Sequence, residues 1–238
     1  MPQSLRAPRH TGPHAANGIE RDEGAQVTDH TTSRPPDARR NAAQEWLADA
    51  RDVDQAVYTA IARTPTPTLD RGMSTLSHAA NYSRLWIASA AALALVGGRP
   101  GRRAAAQGLV SVAVTSALVN QAVKRVGKRK RPDRAGADVP IARHVVMPTS
   151  LSFPSGHSAA AFAFATGVGN KLPVAAVPLH AAAGVIAYSR VHTGVHHPSD
   201  VVVGSVLGTV LAQLTTRALD HYFERTVMRW PGHPRSST

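Results

Sequence analysis

Three short clusters of basic residues and histidines, separated by apolar stretches, carry the residue types that handle phosphate. They read Lys124-x6-Arg131-Pro132, Pro154-Ser155-Gly156-His157 and Ser189-Arg190-x5-His196-x3-Asp200. Cleaving a phosphate ester needs a nucleophile, cations on the equatorial oxygens and a proton for the leaving oxygen. His196 is the candidate nucleophile: a neutral imidazole that attacks phosphorus forms a phosphohistidine and splits one hard step into two. Asp200, four residues on, can accept a hydrogen bond from the far ring nitrogen, fixing the tautomer and stabilising positive charge. His157 is the candidate general acid for the departing alkoxide. Lys124, Arg131 and Arg190 would clamp the non-bridging oxygens, the arginines bidentately. Ser155 and Gly156 stand where the chain turns into a helix, so exposed backbone N–H groups and the Ser hydroxyl make an anion cradle.

In this order, each at the end of an apolar segment, the clusters resemble the tripartite signature of the type 2 phosphatidic acid phosphatase family. That family includes lipid phosphatases and vanadium haloperoxidases. The likeness spans roughly residues 70–220 and fills every signature position. It implies the same roles for the same residues and a lipid phosphate as substrate: a phosphatidic acid type, or a polyprenyl phosphate or diphosphate. Vanadate mimics the phosphoryl transition state and uses the same ligands, so a haloperoxidase remains an alternative on the motifs alone. A catalytically silent membrane protein that binds acidic lipid is a further one. Haloperoxidases of the family are soluble and much longer, which favours the phosphatase.

The elements that must position these residues are helical. Apolar segments run at about 82–97, 104–123, 157–170, 173–189 and 200–217. Ala104–Val123, Leu172–Ser189 and Val201–Thr216 carry no charge and no polar face for water to wet. Several segments fall short of the ~20 apolar residues of a lone span, which keeps a soluble bundle in view. Their Gly, Ala and Ser content instead suits close helix contact in lipid. The expected fold is an all-α integral membrane bundle of about five spanning helices, preceded by an amphipathic helix. If all five span, the three clusters fall on one membrane face.

The amphipathic helix is expected from a capping box at Asn41 and Gln44, with Trp46, Leu47, Ala50, Val53, Val57, Tyr58 and Ile61 on one face. Arg51, Asp52, Asp54 and Gln55 fall on the other. Thr64-Pro-Thr-Pro-Thr68 breaks it, and a second helix is expected from about Thr68 to Asn81. The domains read as a disordered polar tail at 1–40, interfacial helices at 41–81, the core at 82–220 and a polar tail at 221–238. The first thirty residues lack the apolar stretch of a secretory signal.

The 238 residues hold 27 Lys and Arg against 15 Asp and Glu, a net +12 that favours anionic partners. Aromatics are only 5%, and the densest basic run lies inside the signature, so nucleic acid is not the expected partner. With no cysteine, disulfides and thiolate metal sites are excluded. The His-rich cluster carries Arg and Lys that would repel a cation, so catalysis without metal or other cofactor is expected. Lys128, Arg129, Lys130 and Arg134 read as a juxtamembrane basic cluster rather than site residues. His192 and His197 read as supporting or solvated groups, His144 as a possible substrate contact, and His78 and His180 as packed or interfacial. A multi-pass plasma-membrane location is expected. The count of basic residues leans towards a cytoplasmic motif face.

Overall fold

The computed structural model describes residues 36–123 and 129–228; residues 1–35, 124–128 and 229–238, Lys124 among them, lie outside the described residues. Among the described residues, regular structure is helical throughout. The helices are α1 (Pro36–Arg63), α2 (Pro67–Ala79), α3 (Arg84–Val96), α4 (Gly98–Leu118), α5 (Gly156–Gly169), α6 (Ala176–His192) and α7 (Pro198–Met228). Of the unit Met1–Ala42 only Pro36–Ala42, the start of α1, is described; from Ala43 onward the chain forms a second compact unit.

The boundaries differ from expectation at both ends. α1 begins at Pro36, a residue suited to a first helical position because its missing N–H has no intrahelical partner there. Asn41 therefore lies inside the helix and does not cap it. α7 runs unbroken to Met228, so the expected tail at 221 begins within a helix. The Pro65 and Pro67 break falls as expected, with Pro67 opening α2.

α5 is the centre of the bundle, packed against α4, α6 and α7. Small residues allow this. A Cβ at Gly167 would lie 2.7 Å from Ser111 Oγ and 3.0 Å from Gly108 Cα, so α4 and α5 meet at near-backbone contact. Trp86 on α3 and Phe164 on α5 fill the space beyond, their rings 5.1 Å apart. A second apolar cluster joins Tyr58 and Ala62 of α1 to Ala187, Val191 and Val201.

Large apolar side chains also point outward, among them Leu95, Val96, Val114, Val177, Val202, Val206, Val210 and Leu214. Two segments, Pro173–His192 and Pro198–Thr226, are long and apolar enough to cross a bilayer, and only 33% and 28% of their apolar windows are buried. A core helix of a water-soluble bundle hides most of such a surface; these two leave it outside, where lipid suits it.

Candidate active site

The motif residues gather at the ends of the helices. α6 stops at His192, and Gly194, with φ of +67°, turns the chain. The Arg190 carbonyl accepts from both Val195 N (3.1 Å) and His196 N (3.2 Å), which fixes that turn. Pro198 then opens α7 and sets Asp200 in its first turn, where its carboxylate accepts from His197 N at 2.9 Å. An acidic side chain there satisfies an orphan N–H and complements the positive helix end.

His196 is 2% exposed. Its Nδ1 lies 3.5 Å from Asp200 Oδ2 and 3.4 Å from the Ser152 hydroxyl, which itself donates to the same carboxylate oxygen. Its Nε2 lies 3.3 Å from Arg131 Nη1. A guanidinium can only donate, so Nε2 is the acceptor and the ring proton belongs on Nδ1, towards Asp200. Burial holds the His196 pKa down, Asp200 raises it, and Arg131 and Arg190 lower it further, to about 4. The imidazole is thus neutral at pH 7, with its lone pair on the nitrogen that faces the cation.

Arg131 is itself fixed, donating to Ser150 O (2.9 Å) and Val195 O (2.7 Å). Arg190, 1% exposed, donates through Nη1 to Ser77 O (3.1 Å) and Ser77 Oγ (2.5 Å) on α2. Its Nε is buried without a hydrogen-bond partner among the described residues. An unsatisfied buried donor beside a neutral imidazole suits an anion, which would complete it.

The second cluster reaches the backbone of Asp200 rather than its carboxylate. Ser155 N donates to the Asp200 carbonyl at 2.9 Å, joining the turn before α5 to the start of α7. A Cβ at Gly204 would lie 2.5 Å from Ser155 O, so only glycine lets α7 pass this closely. The Ser155 hydroxyl accepts from Ser158 N (3.4 Å) and Ser158 Oγ (2.9 Å); it caps α5, a role the expected phosphate cradle did not include. His157 turns towards the corner between α2 and α3. There Tyr82 and Ser83 take left-handed backbone conformations, and Asn81 Oδ1 lies 2.9 Å from His157 Nε2. Gly156 and His157 line a cavity of about 160 Å³ with Trp86, Ser116 and Asn120. Arg131 and His197 line a separate groove of about 830 Å³ walled by α1. Lys124, the third expected cation, lies outside the described residues.

Two arginines expected in a juxtamembrane basic cluster are instead pinned. Arg129 donates through Nη1 to Asp200 Oδ1 (3.1 Å) and Ser199 Oγ (2.7 Å), and through Nη2 to Asp54 Oδ2 (2.6 Å). Arg134 donates to Gly194 O (3.3 Å) and Val145 O (2.8 Å). Asp54, expected on the polar face of α1, is 6% exposed; α1 meets the bundle along Asp54, Tyr58 and Ala62, leaving Trp46, Val53 and Val57 outside. An i, i+4, i+8 stripe that includes a carboxylate reads as polar by type, and only its period could have revealed it.

A third pinned arginine, Arg143, is fully buried. It donates to Asp70 Oδ1, Ile61 O, Ala62 O, Thr64 O and Thr66 Oγ1, tying the loop before the second cluster to the α1–α2 corner. His192 Nε2 meets the same Asp70 oxygen at 3.0 Å. The Asp70 carboxyl sits below its ordinary value: desolvation would raise it, but Thr66, Arg143 and His192 outweigh that. His197 packs against the Tyr58 ring at 5.8 Å. His144 bonds Val139 O within its own loop, and His180 bonds Thr166 and Ala176.

The family model for the PAP2 superfamily matches residues 105–223. Decaprenylphosphoryl-5-phosphoribose phosphatase of Mycolicibacterium smegmatis is 35% identical over 164 residues, covering 66% of this chain and 84% of that protein. The crystal structure of Aquifex aeolicus LpxE aligns with a TM-score of 0.56 at 26% identity, over 68% of this chain and 94% of that one. The first transmembrane PAP2-type phosphatidylglycerolphosphate phosphatase from Bacillus subtilis aligns equally well, with a TM-score of 0.56 at 25% identity, over 76% and 89%.

Proposed function

This chain belongs to the PAP2 superfamily and is a membrane lipid-phosphate phosphatase, and we propose that it works through a phosphohistidine on His196. The substrate phosphate enters beside Arg131 and Arg190, whose donors turn from protein acceptors to its non-bridging oxygens, with Lys124 as a third cation. Withdrawal of Arg131 from His196 Nε2 frees the lone pair for in-line attack on phosphorus. Positive charge then builds on the ring, and Asp200 stabilises it through the Nδ1 proton. His157 protonates the leaving oxygen, exchanging its contact with Asn81 for one with substrate. Water attacks the phosphohistidine in the second step and releases inorganic phosphate. The observation that carries this reading is the two-sided setting of His196, with a carboxylate at Nδ1 and a guanidinium at Nε2.

The substrate is a polyprenyl-type lipid phosphate. The outward apolar belt suits a long isoprenoid tail, and a relative with 35% identity is named for a decaprenylphosphoryl substrate. The groove beside Arg131, lined also by Arg51, Lys130 and Gln55, takes the polar headgroup. Five helices, α3 to α7, span the bilayer, and α1 rests at the interface on Trp46, Val53 and Val57. The catalytic face is cytoplasmic, in keeping with the basic residues around the signature. Phosphate release from a panel of lipid phosphates in detergent, with EDTA present, tests the proposal. Metal-independent release from a polyprenyl substrate, blocked by vanadate and lost in His196→Ala, is expected. Equal turnover by His196→Ala refutes the mechanism, and preference for a short acyl phosphate refutes the substrate class.

A further inference from the structure

The PAP2 match begins at residue 105, yet α1 is linked through Arg129 to the Asp200 carboxylate. Asp54, inward on α1, accepts from Ser199 N (2.8 Å), Ser199 Oγ (2.8 Å) and Arg129 Nη2 (2.6 Å). It therefore caps α7 from a distant helix, satisfying an N–H that helix geometry leaves orphaned. Arg129, whose side chain is 27% exposed, spans the remaining gap. Its Nη2 holds Asp54, while its Nη1 reaches Ser199 Oγ and Asp200 Oδ1. The two oxygens of Asp200 thus have separate duties. Oδ2 collects Ser152, His197 N and the imidazole of His196, whereas Arg129 is the partner of Oδ1.

We infer that Asp54 and Arg129 are positioning residues that hold Asp200 in register for His196, making α1 a working part of the catalytic centre. The inference rests on the phosphohistidine reading above. A carboxylate held at one oxygen alone can rotate about its Cβ–Cγ bond, and rotation would take Oδ2 away from Nδ1. Arg129 also balances the Asp200 charge. The other groups facing His196 are Arg131 from the signature loop, Arg190 from α6, Ser152 from the loop before α5, and His197 beside it. Without Arg129 the carboxylate attracts the ring proton more strongly, and the acid limb that reports His196 moves up in pH.

The test compares the full-length wild type in detergent with Asp54→Ala, Arg129→Met and the double variant, using a lipid phosphate that the wild type hydrolyses. Each single change is expected to lower kcat by about ten-fold or more, a fraction of what a full ångström of misplacement does. KM should stay within about three-fold, and the double variant should be no worse than the poorer single one, because both act through Asp200. Arg129→Met should also raise the acid limb of kcat/KM. Unchanged kcat in both single variants overturns the inference; so does a rise in KM with kcat kept, which would make the pair a headgroup contact. Losses that multiply in the double variant also overturn it. A wild type that hydrolyses no lipid phosphate would instead count against the proposed reaction. Histidine NMR titration of the same proteins would then decide the positioning. A His196 signal that titrates higher in Arg129→Met supports it, and an unmoved signal refutes it.

Discussion

Placing a methyl group on α7 should damage catalysis through a residue nearly fifty positions away in the chain. In Gly204→Ala the new Cβ would lie 2.5 Å from Ser155 O and 3.3 Å from Ser155 C and N, all of them backbone atoms that cannot rotate aside. Relief to ordinary contact requires the turn before α5 to retreat by roughly 1 Å, and a misplacement of that size costs up to about 100-fold in rate. The retreat strains the Ser155 N–H bond to the Asp200 carbonyl and shifts the peptide that starts α5 at Gly156. Overpacking costs about 1–3 kcal/mol, offset by about 1 kcal/mol because Ala is the better helix former, so net stability falls by at most about 2 kcal/mol. For a unit of this size that lowers Tm by at most about 8 °C, at about 2–4 °C per kcal/mol. The assay is phosphate release at saturating lipid phosphate, alongside thermal unfolding in the same detergent. We expect kcat to fall by one to two decades while most of the protein stays folded at the assay temperature. Wild-type kcat in Gly204→Ala would refute the coupling of α7 to the Ser155 turn.

Three further outcomes follow from the same geometry. Because burial holds His196 near a pKa of about 4, below its ordinary 6.5, kcat/KM should rise with pH through about 4 and show no histidine-like acid limb near 6.5. The same shift makes stability fall as pH drops from 6.5 and level off below about 4, since the unfolded chain binds the proton first; thermal unfolding across that range checks it. Arg143→Met removes the cation from buried Asp70, which keeps only Thr66 and His192, and takes the donor from four further acceptors. It should destabilise by about 3–5 kcal/mol, read as a Tm loss of about 6–20 °C.

The candidate site of this chain was legible because phosphate handling demands unusual residue types at fixed spacing. His196, Asp200, Arg131 and Arg190 announce themselves by charge and register, and the structure brings them to one turn. The helices were legible for a simpler reason: long uncharged runs have few other solutions, and α3, α5 and α6 follow the apolar segments to within about three residues, whereas α4 begins and ends earlier than its segment and α7 runs well past its own. Asp54, Arg129 and Arg143 were not legible. Each forms its bonds across about 70 or more residues of sequence, and no local period marks a charge that finds its partner only after folding. Type alone placed Arg129 in a juxtamembrane basic patch and Asp54 on the polar face of its helix, when each was the other's partner. The start of α1 was missed because Asn41 and Gln44 form a capping pattern that the helix extending back to Pro36 overrides.

Catalysis through His196 is tested most directly by rapid acid-free quenching of the enzyme during turnover of a lipid phosphate labelled at its terminal phosphoryl group, followed by peptide mass spectrometry. An acid-labile, alkali-stable phosphoryl group on His196, absent from His196→Ala and accumulating in His157→Ala when a good leaving group is supplied, is the predicted result. A burst of product with no phosphoryl group on His196, or with one on another residue, would contradict it.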